Sequence, residues 1–208
     1  LPATSCQFQP TIVSYTGTSS TFDTQFFWDF DGGVVNGGTL PGAGPHEVMW
    51  FNISQPDTKT VTLRTVRAGC EKIEKRNIIV YPQPRIMADS NHIVVCGGQG
   101  VNVQLKTFTN VPANQCAFFW EPATGLNSAL EQSPFASPTV TTTYTVYALY
   151  KGCISNRDTV RVSVKQNPQI LLDTNVVEFC QGQGGVQLKQ TTYGGTPPYS
   201  YQWSPANW

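Results

Sequence analysis

The chain has 208 residues, of which 12% are charged, and 13 Lys and Arg balance 13 Asp and Glu to a formal net charge of zero. That length suits two or more small sandwiches better than one. The balanced charge excludes the basic face that nucleic acid requires and offers no handle to an anionic membrane.

Aromatic residues, at 12%, supply material for a core, so the chain is expected to fold. No apolar run approaches the roughly 20 residues of a membrane helix, and no membrane insertion is expected. Leu1-Pro2-Ala3-Thr4 has neither a charged n-region nor an apolar h-region. A secretion signal is therefore expected upstream or already removed.

In chain order, the first unit is assigned to residues 1–82. It holds Cys6, then Trp28, then Val61 and Leu63 alternating with Thr60, Thr62 and Arg64, then Arg67-Ala68-Gly69-Cys70. Tyr81-Pro82-Gln83-Pro84 closes it after the strand-like Ile78-Ile79-Val80. The second unit, 83–167, opens on Cys96-Gly97-Gly98-Gln99-Gly100. Val101, Val103 and Leu105 then alternate with Asn102, Gln104 and Lys106. Trp120, the β-branched run Thr141–Tyr147, Gly152-Cys153, and Val160, Val162 and Val164 follow. Gln166-Asn167-Pro168 ends it, and 168–208 is read as the start of a third, truncated unit.

The second and third units are copies. Cys96, Val103-Gln104-Leu105-Lys106 and Trp120-Glu121-Pro122-Ala123 recur as Cys180, Val186-Gln187-Leu188-Lys189 and Trp203-Ser204-Pro205-Ala206, 84 positions on for the cysteine and 83 for the other two blocks. The first unit shares the order Cys, Trp, Gly-Cys. Period-two alternation, 18 Gly and 15 Pro imply short strands in antiparallel sheets packed face to face. The expected fold is all-β, a tandem of antiparallel β-sandwiches. Prolines in the linkers make them stiff and extended. Trp28, Trp120 and Trp203 are expected in the cores. Trp50, Phe51, Tyr147 and Tyr150 include outward positions, which suit either cross-strand packing or stacking on a glycan.

Six cysteines, widely spaced in loop-rich β sequence, fit disulfides and an oxidising, extracellular compartment. Repeat logic pairs Cys6 with Cys70 and Cys96 with Cys153. Cys116 is left as a buried thiol or the partner of a cysteine elsewhere, and Cys180 as a residue whose partner lies outside this segment.

Little here suggests chemistry. No C-x-x-C occurs, and the two histidines, His46 and His92, have no nucleophile elbow near them. The glycine clusters, including Gly37-Gly38, lack the Gly-Lys-Ser/Thr of a phosphate loop and read as hairpin loops. Asp29 and Asp31 stand two apart, the spacing of paired carboxylates, with a weak calcium site as a further alternative. No catalytic, cofactor-binding or metal-binding residue is assigned.

Trp28-Asp29-Phe30-Asp31-Gly32-Gly33 resembles the signature of polycystic-kidney-disease (PKD) domains, with Asp and Gly in altered order. Pro45-His46-Glu47-Val48 and Lys59-Thr60-Val61-Thr62-Leu63 resemble later strands of that family. Trp120–Leu126 and Pro138–Val146 look like the Ig-like repeats of very large Bacteroidota surface proteins. Gly194-Gly195-Thr196-Pro197-Pro198-Tyr199-Ser200-Tyr201-Gln202-Trp203 is similar to the repeat of gliding-motility adhesins exported by the type IX system. The resemblance implies a non-enzymatic repeat segment of a cell-surface adhesin or gliding filament, without a cofactor. Its partners would be surface polysaccharide or other cell-surface proteins, with the type IX secretion machinery for export. The alternative is a carbohydrate-binding accessory module of a secreted polysaccharide hydrolase. A third reading is a filament subunit joined by strand addition at sheet edges.

Overall fold

A computed structural model describes residues 3–17, 23–36, 42–97, 102–182 and 184–204. Val101, Gln99-Gly100, the Gly37-Gly38 loop and the Pro205-Ala206 pair lie outside these residues.

The described residues form an all-β chain of successive sandwiches. The first contains β1 (Ala3–Cys6), β2 (Thr11–Val13), β3 (Gln25–Asp29), β4 (Val34–Val35), β5 (His46–Met49), β6 (Asp57–Arg67) and β7 (Cys70–Tyr81). One sheet runs β1-β7-β6-β3 and the facing sheet β2-β5-β4. Between them sit Phe30, Val48, Trp50, Ile53, Val61, Ile78 and Val80.

The second contains β8 (Ile86–Ala88), β9 (His92–Cys96), β10 (Val103–Gln104), β11 (Thr107–Thr109), β12 (Cys116–Glu121), β13 (Phe135–Ala136), β14 (Thr142–Tyr150), β15 (Cys153–Ile154) and β16 (Asp158–Lys165). Its main sheet runs β12-β14-β16-β9, with β15 also on β14. The pairs β8–β11 and β10–β13 cover that sheet over a core of Ile86, Leu105, Phe118, Trp120, Tyr144 and Val146. Inward residues alternate along β14: Tyr144, Val146, Ala148 and Tyr150 are buried. The buried Tyr144 hydroxyl donates to the Thr124 carbonyl at 2.9 Å, so the ring enters the core without an orphaned polar atom.

Two features repeat in both sandwiches. The final hairpin turns through two residues at positive φ, Ala68 (48°) and Gly69 (81°) between β6 and β7 in one, Lys151 (50°) and Gly152 (88°) between β14 and β15 in the other. This is the hairpin turn whose twist matches the flanking strands, and glycine takes its second position without strain. The pairing is antiparallel apart from one parallel pair in each sandwich. β1 runs parallel to β7, with Cys6 opposite Tyr81. β9 runs parallel to β16, with Cys96 opposite Lys165.

The three tryptophans differ. Trp120 is buried and its indole N–H donates to the Glu131 carbonyl at 3.0 Å. Trp28 is half-buried, stacks on Phe30 at 5.7 Å and donates to the Gly42 carbonyl at 2.8 Å. The deepest indole of the first sandwich is Trp50, 1% exposed, donating to the Phe30 carbonyl at 2.9 Å. Trp203, in the segment read as the start of a truncated unit, is 46% exposed. Beyond β16 the described residues contribute a two-stranded sheet, β17 (Gln169–Leu172) with β18 (Gln190–Tyr193), and no facing sheet covers the ring.

Tryptophan-to-alanine substitutions therefore separate these environments. Trp120→Ala is expected to lower unfolding free energy by about 3–5 kcal/mol, because it empties a closed core. Trp203→Ala is expected to change it by less than about 0.5 kcal/mol. Urea unfolding of the two variants checks the contrast, and equal losses would contradict it.

Candidate functional site

The residues singled out for chemistry are occupied structurally. Asp31 sits in a turn at φ 51°, past the end of β3, and does not share a strand face with Asp29. Asp29 Oδ1 accepts the Asp31 N–H at 3.0 Å, and Asp31 Oδ2 accepts the Thr60 N–H at 2.9 Å. Asp29 thus closes the turn and Asp31 ties it to β6, the task short acidic side chains perform in turns. His46 is buried against Trp28 and Phe30, with ring centroids at 5.3 and 5.8 Å. His92 lies 2.8 Å from the Ser163 hydroxyl through Nε2. Among the described residues no group of three His, Cys, Asp or Glu side chains converges as a metal site.

The aromatic residues read as outward make ring contacts of their own. Tyr147 stacks on Phe119 across the strand at 5.0 Å, with the Arg157 guanidinium 4.5 Å above its ring. Phe51 meets Phe8 edge-on at 5.6 Å. Tyr150 is buried and meets Tyr81 edge-on at 5.9 Å. That last contact joins the two sandwiches and leads to the site with most structure invested in it, their junction.

The junction holds the disulfide. Cys6 is bonded to Cys153 across 147 positions, with Cα atoms 5.5 Å apart. The expected pairs Cys6–Cys70 and Cys96–Cys153 do not form; Cys70 and Cys96 are exposed thiols. The reason is strand direction. Cys6 lies opposite Tyr81, the last residue of β7, whereas Cys70 is its first. Eleven positions of extended strand separate those ends, about 36 Å at ~3.3 Å per residue, against the ~7 Å limit between bridged Cα atoms. Cys96 and Cys153 are placed at opposite ends of the second sandwich in the same way.

The first sandwich thus offers Cys6 at its exit end, and the second offers Cys153 at the tip of its final hairpin. Between them the linker is packed. Pro82 and Pro84 are buried, and Gln83 donates its side-chain amide to the Ile154 carbonyl at 3.5 Å. The Asn156 amide holds the start of β8 on both sides, accepting from Ile86 N at 2.9 Å and donating to Ile86 O at 2.9 Å. Asn110 Oδ1 accepts from Arg85 N at 2.6 Å. A cleft of ≈ 830 Å³ beside the linker is lined by Arg85, Met87, Phe108 and Asn110 among others. Repeat logic located the cysteines but missed this junction, because strand direction has no mark in the spacing.

Successive sandwiches joined end to end at a packed, covalently closed junction define a tandem β-sandwich chain. No protein-family model matches the chain, and no curated protein matches it. Among solved structures it is similar to the I-band fragment I67–I69 from titin, at 11% identity and TM-score 0.45, covering 92% of this chain and 83% of that one. It is similar to Sidekick-1 immunoglobulin domains 1–4 at 15% identity and TM-score 0.32, covering 81% of this chain and 50% of that one. It is also similar to the D00-D0 domain of intimin at 12% identity and TM-score 0.35, covering 77% and 96%.

The thiols predict an order of labelling. Cys70, Cys96 and Cys180 are exposed, while burial pushes the Cys116 thiol up. In the isolated 208-residue segment at neutral pH an aromatic disulfide reagent is expected to modify the first three quickly and Cys116 slowly. Cys6 and Cys153 should label only after reduction. Fast labelling of Cys6 without reductant, read by peptide mass spectrometry, would contradict the bridge.

Proposed function

We propose that the chain is a non-enzymatic segment of a secreted cell-surface protein, with modules at 1–82, 83–167 and 168–208 acting as a stiff spacer in adhesion. The observation that carries this reading is the junction. A lone linker lets two modules swivel about one pivot. Here the linker and the Cys6–Cys153 bond give two covalent crossings, with Tyr81 against Tyr150 between the sandwiches. Such an arrangement transmits a pull from one module to the next without first unwinding the joint. Disulfides persist in oxidising compartments, which supports an extracellular site. The sequence resemblance to gliding-motility adhesins supports a Bacteroidota protein exported by the type IX machinery, with surface polysaccharide or another surface protein as partner.

A second reading, a carbohydrate-binding accessory module of a polysaccharide hydrolase, draws on the cleft beside the linker, where Phe108 is 53% exposed. A glycan array separates the two: specific micromolar binding that is lost in Phe108→Ala favours the accessory module.

The spacer reading is tested by stiffness. Spin labels introduced through non-natural amino acids at the exposed positions Lys75 and Thr143 report the distance between sandwiches. The oxidised protein is expected to give one narrow distribution, and the Cys6→Ser/Cys153→Ser variant a clearly broader one with both sandwiches folded. Equal widths would sink the claim that the bridge stiffens the array.

A further inference from the structure

The Cys6–Cys153 bond uses one cysteine of each sandwich and leaves Cys70 in the first and Cys96 and Cys116 in the second. Cys70 and Cys96 occupy the same places as the two that are bonded. Cys6 is the last residue of β1, opposite the last residue of β7; Cys96 is the last residue of β9, opposite the last residue of β16. The backbone beyond each is held alike. Gln7 N donates to the Tyr81 carbonyl at 2.9 Å, and Gly97 N donates to the Lys165 carbonyl. At the other end, Cys153 follows the Lys151-Gly152 turn and lies opposite Tyr150, the last residue of β14; Cys70 follows the Ala68-Gly69 turn and lies opposite Arg67, the last residue of β6. The run to the next module also matches. β8 begins five positions after Tyr81 and β17 begins four after Lys165, each across a proline-containing link.

We propose that the bridge is one step of a repeating staple, in which the exit-end cysteine of each module is bonded to the hairpin cysteine of the module that follows. Cys96 is the open half of the next staple. Its partner is a Gly-Cys hairpin cysteine of the module that begins at β17. Cys70 is the open half of the preceding staple, and its partner is the exit-end cysteine of a module placed before Ala3. This rests on the array reading above. Each bond forms as two thiols lose two protons and two electrons to a small-molecule or enzyme disulfide, which is released as two thiols. Gln166, Asn167 and Pro168 are exposed, whereas Pro82 and Pro84 are buried.

The test uses the full-length protein from its native source, alkylated before lysis and digested without reductant. Cys96 is expected in a disulfide-linked peptide with a cysteine that follows a hairpin glycine, alongside the Cys6–Cys153 peptide. Cys96→Ser, at an exposed position that should not disturb folding, is expected to release one new alkylatable thiol in the following module and leave Cys6–Cys153 intact. Alkylated Cys96 in a protein that has such a following module overturns the staple and leaves the array standing. Cys96 bonded to Cys70 or Cys116 also overturns it. A full-length protein with no module after this segment overturns both readings together.

Discussion

One parallel strand pair governs the molecule. In each sandwich the opening strand of the main sheet runs alongside the last strand in the same direction, β1 with β7 and β9 with β16. The final hairpin must start where the module is entered, since its second strand has to run the full length to leave at the other end. A cysteine that ends the opening strand is therefore always at the exit, and one that follows the hairpin turn is always at the entry. The two can never meet inside one module, and they are placed to meet between modules.

That geometry changes what a disulfide does. A bridge inside a small sandwich raises the stability of that sandwich by restricting its own unfolded chain. The bridge here closes a loop of 147 positions that runs through both sandwiches. The chain-entropy model gives about 5 kcal/mol for so long a loop. The term acts on the unfolded pair rather than on either sandwich, so each must rely on its own core. Both have one: Trp50 at 1% and Trp120 at 3% exposure anchor separate clusters. The covalent bond is free to set the joint.

Much of the fold was legible in the sequence, and the reasons are specific. Val160 and Val162 alternate with the exposed Thr159 and Arg161 because one face of β16 is buried, but the alternation ends there, since Ser163 is buried and Val164 half-buried. Gly69 and Gly152 mark hairpins because their turns require positive φ. The disulfide was not legible. Spacing of 64 and 57 positions between Cys6 and Cys70, and between Cys96 and Cys153, is equally consistent with cysteines at one pole or at opposite poles. Only pairing direction separates these, and a strand of four or five residues carries no sign of its direction. The core of the first sandwich was also misweighted. Trp28 matched the repeat position, yet Trp50, at the end of β5, fills the space between the sheets.

The repeat motif is buried in the second sandwich and exposed in the segment after it. Val103, Leu105 and Trp120 recur as Val186, Leu188 and Trp203, with nearly the same spacing. Leu105 is fully buried and Leu188 is 54% exposed; Trp120 is 3% exposed and Trp203 46%. What differs is the presence of β14 and β16, which close the second sandwich over the motif. Burial free energy grows with apolar area removed from water, and a two-stranded sheet removes little. Val186, Leu188 and Trp203 lie outside β17 and β18, and in the second sandwich it is the long final hairpin that completes the core over the motif. That same hairpin carries the entry cysteine at its turn. Completing a module's core and presenting its cysteine to the preceding module are consequences of one structural event, so a staple of this geometry forms only onto a module that has already folded.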